Sequence, residues 1–126
     1  MLTVRTRVGK SSVHGRGLFA DQDIKEGQLV WEFDSQSVLE FPSKFIRNLN
    51  PKSREMVEIY GWFHRNLVYL DLGDAKYMNH SKTPNLRSGP GKTPMVAARD
   101  IKKGEELFCD YREICDSVLP ESIVDS

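Results

Sequence analysis

The run Asp23-Ile24-Lys25-Glu26-Gly27 returns near the other end of the chain as Asp100-Ile101-Lys102-Lys103-Gly104. Each copy leads into a strand-like run, Gln28 to Phe33 and Glu105 to Cys109, and each has an alanine three residues before its aspartate, Ala20 and Ala97. Glycine closes both, free to take a positive backbone angle, so the pattern predicts two similar strand–turn–strand corners. One repeated corner is too little for a solenoid. It does demand short strands that bend.

The segments between and around the corners agree. Leu2, Val4 and Val8 alternate with polar residues and predict a half-buried first strand. Ser11-Ser12 and Gly15-Arg16-Gly17 form a flexible turn before Leu18-Phe19-Ala20. Leu67 to Leu70 and Met95 to Ala98 are further strands. The one convincing helix has Asn50 as cap, Pro51 at its first position, Met56, Val57 and Tyr60 as a buried stripe, and Gly61 as its stop. A shorter helical turn fits Pro42 to Leu49. Residues 116–126 are an acidic arm that packs or frays. Many short strands with one helical insert make a mainly β domain.

At 126 residues the chain fits one domain with a single modest core. Lys plus Arg and Asp plus Glu are both 18, so no net field draws it toward nucleic acid or an anionic membrane. No apolar stretch approaches the roughly 20 residues that span a bilayer, and the N-terminus lacks a secretory h-region. Cys109 and Cys115 are the only cysteines, expected to stay reduced, and with three scattered histidines they offer no structural zinc site. An intracellular protein is expected, with the cytoplasm first and the nucleus also open.

Three motifs carry chemistry. Gly15-Arg16-Gly17 can let a ligand approach the backbone, or can be a plain β-turn. It is no dinucleotide fingerprint, because GxGxxG needs glycine where Ala20 stands. Gly91-Lys92-Thr93 fails as a phosphate loop because Leu86 replaces the required glycine, which leaves Gly89-Pro90-Gly91 as a surface turn. Tyr77-Met78-Asn79-His80-Ser81 runs from apolar to polar into a turn closed by Thr83-Pro84-Asn85, bringing an amide and an imidazole to the end of a buried element. Alone it reads better as a capped turn, with Asn79 satisfying backbone groups and His80 as a structural hydrogen-bond partner. A Ser81–His80 hydrolase pair is a poor rival, since adjacent residues rarely aim at each other and no GxSxG surrounds the serine. Asp110-Tyr111 closes the last strand-like run, where a surface aromatic is the plain alternative.

Taken in order, GxG, Asn-His-Ser-x-x-Pro-Asn and a C-terminal tyrosine resemble the SET-domain family of protein lysine methyltransferases, over about Thr3 to Tyr111. Asp71 also matches a recurrent position. The resemblance implies a β-clip-like fold of several short sheets with a C-terminal pseudoknot near Asn79 and Tyr111. It implies a single domain over 1–126, with a core of about 3–111, a helical insert of about 35–66 and a C-terminal arm of 112–126. The implied cofactor is S-adenosylmethionine, held by Gly15, Arg16, Gly17, Asn79, His80 and Tyr111. The Asn79 side chain and the His80 backbone would hold its amino-acid and adenine ends. The implied substrate is a lysine in a protein, entering from the opposite face through a channel walled by Tyr77, Cys109 and Trp62. Tyr111 is the implied catalytic residue. No metal is implied.

The chain departs from the family pattern in three places. Only Cys115 follows Tyr111, so a zinc-binding cysteine-rich lid is missing. Closure would come from the 112–126 arm, from the partner in a homodimer, or not at all. Cys109 stands two before the tyrosine, where Phe or Tyr is frequent, which leaves the number of methyl groups open. The insert is short, so histone specificity does not carry over. The alternative is a catalytically silent SET-fold module that binds a protein or peptide, distinguished by failure to bind cofactor.

Overall fold

A computed structural model describes residues 1–115. Ten short strands and two helices follow in order: β1 Thr6–Lys10, β2 Arg16–Ala20, β3 Leu29–Trp31, β4 Val38–Pro42, α1 Pro51–Tyr60, β5 Trp62–His64, β6 Leu67–Asp71, β7 Asn79–His80, β8 Leu86–Arg87, β9 Met95–Ala97, β10 Phe108–Cys109 and α2 Tyr111–Ile114. Short 3-10 helices occupy Ser43–Asn48 and Asp74–Tyr77. The strands form an antiparallel β1–β2 pair, the sheets β3–β9–β8 and β4–β6–β5, and a parallel β7–β10 pair. That parallel pair ties the C-terminal segment beside Asn79 and His80 and makes the expected pseudoknot.

The repeated corners explain each other. Ile24 and Ile101, each 1% exposed, exchange backbone hydrogen bonds of 2.8 Å in both directions. The Gly27 amide donates to the Ala97 carbonyl and the Gly104 amide to the Ala20 carbonyl, both at 2.8 Å. Asp100 accepts from the Glu26 amide at 2.8 Å, and Asp23 accepts from the Lys103 amide at 2.9 Å. Both glycines take the expected positive φ, 81° and 97°. The two copies thus face one another as an intrachain dyad, each aspartate closing the other's turn. Asp23→Ala and Asp100→Ala should therefore each lower stability by similar amounts, about 1 kcal/mol in urea unfolding. A loss confined to one of them would contradict the symmetry.

Behind the corners lies the main core, which joins Leu18, Ala20, Ile24, Val30, Met78, Leu86, Ala97, Ile101, Leu107 and Cys109. Each large aliphatic side chain buried here contributes about 1.5–3 kcal/mol. Met78 and Cys109 belong to this cluster, so the strands of the parallel pair are anchored from beneath. A second cluster packs Val57 of α1 against Ile46, Phe63 and Val68.

Several expectations need correction. The first strand is Thr6–Lys10; Leu2 instead bridges to Trp31 at the edge of β3. Arg16 and Gly17 are not part of a flexible turn but lie in β2, because the turn is made earlier, with the Ser11 amide bonded to the Gly15 carbonyl at 2.8 Å. Helix α1 has Asn50 capping Ser53 and starts at Pro51 as expected, yet Met56 is 44% exposed and only Val57 is buried. One short helix over a small sheet has room for a narrower stripe than three residues. Gly89 and Gly91 are buried rather than on the surface, since Trp62 Nε1 donates to the Gly91 carbonyl at 2.9 Å. Of the 112–126 arm, residues 112–114 lie in α2, Cys115 caps its end, and the remainder lies outside the described residues.

Candidate functional site

Strand β7 is two residues long, and the chain reaches it from the 3-10 turn ending at Tyr77. Pairing in register with β10 (Asn79 opposite Phe108, His80 opposite Cys109) sets Tyr111 just beyond the ladder's end. There Asp110 caps α2, accepting from the Arg112 amide at 2.9 Å. The Tyr111 hydroxyl donates to the Met78 carbonyl at 2.7 Å, and the Tyr111 amide donates to His80 Nδ1 at 3.0 Å. Burial pushes the Tyr111 phenol up to about 12. It therefore stays protonated across the physiological range.

Tyr111 borders two clefts. The first, about 520 Å³, is lined by Val13, His14, Gly15, Arg16, Ile59, Tyr60, Lys76, Tyr77, Asn79 and His80 as well as Tyr111. Among the described residues no carboxylate lines it, while Arg16 and Lys76 both lie over the Tyr77 ring, 5.9 and 5.3 Å from its centroid. The second, about 320 Å³, contains Trp31, Trp62, Met78, Cys109, Tyr111 and Cys115 among its walls, with Glu58, Asp71 and Lys76 as its charged residues. Trp62 stacks on Tyr69 at 5.4 Å and meets Trp31 edge-on at 5.8 Å. Trp31 Nε1 donates to the buried Asp71 carboxylate at 2.8 Å. Burial also pushes the Cys109 thiol up to about 12, leaving it a small neutral wall.

The structure gathers Gly15, Arg16, Asn79, His80 and Tyr111 at the first cleft, and Trp62, Cys109 and Tyr111 at the second. Tyr77 is misplaced by the sequence expectation: it lines the first cleft with the cations and not the second with Trp62 and Cys109. The turn that precedes β7 decides its direction. Gly17 is also not where expected. It is buried in β2, and a Cβ there would stand 2.6 Å from Glu106 Oε2, so its missing side chain makes room for Glu106. Gly15, with φ 48° and open space around it, is the glycine that faces the cleft.

Sequence reasoning missed Glu106. Its carboxylate lies 2.9 and 2.8 Å from the Ser11 hydroxyl and 3.3 Å from Asn79 Nδ2. The same Asn79 nitrogen donates to the carbonyls of His14 and Arg16 at 3.0 Å each. The amide nitrogen of Asn79 is thus spent on the cleft's own wall. A carboxylate immediately before the apolar Leu107-Phe108 was the signal available in the sequence.

Beneath Tyr111, Arg112 binds Asp110 through Nε at 2.9 Å and Nη2 at 2.6 Å, and this hydrogen bonding holds the Asp110 carboxyl at about 2, below its ordinary 3.8. A carboxyl lowered on folding stabilises above its unfolded value and loses that contribution as pH falls through its folded value. The melting-temperature gap between wild type and Asp110→Asn should therefore be constant above about pH 5 and close between about pH 4 and 2. A gap unchanged at pH 2 would refute the assignment.

A mainly β scaffold of four small sheets, with a parallel pseudoknot presenting one tyrosine to two clefts, defines the class. The chain belongs to the SET-domain family, whose SET domain matches residues 15–112. The variant-silencing SET domain-containing protein of Plasmodium falciparum is 28% identical over 119 residues, which is 82% of this chain and 5% of that protein. Human histone-lysine N-methyltransferase 2B is 30% identical over 121 residues, covering 83% of this chain and 4% of its own length. The chain thus spans a small fraction of the curated relatives it matches. Among solved structures, Chaetomium thermophilum Polycomb Repressive Complex 2 in an autoinhibited conformation bound to S-adenosylmethionine matches with a TM-score of 0.68 at 24% identity. That match covers 97% of this chain and 17% of the other, and it is a likeness of fold. Among the described residues no helix is long and apolar enough to cross a membrane.

Proposed function

We propose that this chain transfers a methyl group from S-adenosylmethionine to the ε-amine of a lysine in a protein. The observation that carries this reading is Tyr111 standing as a common wall between a cleft whose charged residues are all cationic and one walled by Trp31 and Trp62. The residues of the first cleft fit the cofactor. Arg16 and Lys76 would meet its carboxylate, the Gly15 turn leaves space for close approach, and the volume suits a ligand of its size. Bound there, the cofactor supplies an electrophilic methyl group on a sulfonium centre.

The protein's part is positioning. Because the Tyr111 proton is committed to the Met78 carbonyl, the phenol oxygen turns lone pairs outward and can accept from an incoming amine. As a phenol raised to about 12, it is no general base. A free lysine titrates near ~10.4, and an apolar channel lowers that value by penalising the charged form. Trp62, Met78 and neutral Cys109 supply such walls, while Glu58 and Asp71 of the same cleft act in the opposite direction. The amine enters neutral, having released its proton to solvent. Holding the reactants in line is worth several kcal/mol.

The test is labelled cofactor with a panel of lysine-containing proteins, read by mass spectrometry for target and methylation state. Transfer to lysine supports the proposal. Cofactor binding without transfer to any member would leave a silent module, and peptide binding with no cofactor affinity would exclude the enzyme.

A further inference from the structure

The β7–β10 ladder ends one residue too early to serve Tyr111. Its last backbone contact is the Ser81 amide to the Cys109 carbonyl at 2.9 Å, after which the chain turns into α2. Asp110 cannot help, since its carboxylate is engaged by the Arg112 amide and guanidinium. The orphaned Tyr111 amide is instead met by a side chain, His80 Nδ1 at 3.0 Å, with the two rings 5.2 Å apart. Tyr111 is thereby held at two points by nearly adjacent residues: its hydroxyl by the Met78 carbonyl and its backbone by His80.

We infer that the His80 side chain is a positioning residue for Tyr111, acting as a neutral imidazole whose unprotonated Nδ1 replaces the missing ladder acceptor. This rests on the catalytic reading of Tyr111 but makes a separate claim, because it assigns the His80 ring to the tyrosine and not to the cofactor. An Nδ1 that accepts requires the proton on Nε2. The same Nδ1 lies 3.7 Å from Asp110 Oδ1, farther than the 3.0 Å to the Tyr111 amide. A backbone shift of about 1 Å at that point displaces the phenol enough to cost about 100-fold in rate.

Asparagine places Oδ1 where histidine has Nδ1, whereas leucine has nearly the same shape and no acceptor. His80→Leu should lower kcat about 10- to 100-fold with the cofactor dissociation constant within about threefold of wild type, and His80→Asn should recover most of that loss. Protein labelled with ¹⁵N-tyrosine, which has only four tyrosines, gives a second readout independent of activity. The Tyr111 amide should exchange slowly in wild type and His80→Asn and fast in His80→Leu. Histidine ¹⁵N shifts of the wild type should report the Nε2–H tautomer at His80, which requires no variant to fold. Equal activity in the two variants, a loss seen only in cofactor affinity, or an Nδ1–H tautomer would each overturn the inference. Should the wild type transfer no methyl group at all, the exchange and tautomer results still decide the clamp by themselves.

Discussion

Tyr111→Phe should reduce methyl transfer by about 100-fold or more while leaving the fold and cofactor affinity intact, the loss expected when a group stabilising only the transition state is removed. Tyr111 lines both clefts, and the hydrogen bond of its phenol to the Met78 carbonyl fixes where the oxygen sits. Phenylalanine keeps the ring and its contact with His80 and deletes that oxygen. Losing one hydrogen bond costs about 1 kcal/mol of stability, too little to unfold a domain. The decisive comparison is kcat at saturating cofactor and substrate, beside calorimetric cofactor binding. A Phe variant with activity within threefold of wild type would remove Tyr111 from the chemistry.

Asn79→Ala should act at the other end of the site, weakening cofactor binding about 30-fold or more and lowering stability by about 1–2 kcal/mol. Its amide nitrogen holds the carbonyls of His14 and Arg16 and reaches Glu106, which in turn takes the Ser11 hydroxyl. Alanine releases the 14–16 segment from β7 and leaves the partly buried Glu106 carboxylate with fewer donors. The cleft wall then loses its fixed place, and preorganisation for the ligand goes with it. Calorimetry and urea unfolding measure the two effects separately. Unchanged affinity beside reduced stability would make Asn79 a structural residue alone.

What the sequence made legible was local. The two corners, down to their alanines and positive-φ glycines, were visible because each is written in consecutive residues. The helix cap at Asn50 and Pro51 was visible for the same reason. What escaped depended on partners far along the chain. Gly17 looks like a turn glycine until Glu106 is set against it. Tyr77 looks like a channel wall until the 3-10 turn carries it to the other cleft. Asn79 and His80 were found as residues and a structural role on the backbone was open to both, but the motif gave no sign that the partners would be His14, Arg16 and Tyr111. Their type was readable, and their targets were not.

The facing corners also bear on how the molecule comes into being. Asp23 and Asp100 close each other's turns across sequence separations of 74 and 80 residues. A chain made from its N-terminus cannot complete its first corner until Gly104 has emerged, and such long-range pairing is slow to form. Glu106, which reaches back to Ser11 and Asn79, and β10, which makes the pseudoknot, follow at once. Closing the scaffold and assembling the clefts are therefore one event that waits for the last strands of this domain, and a chain stalled before that point has neither.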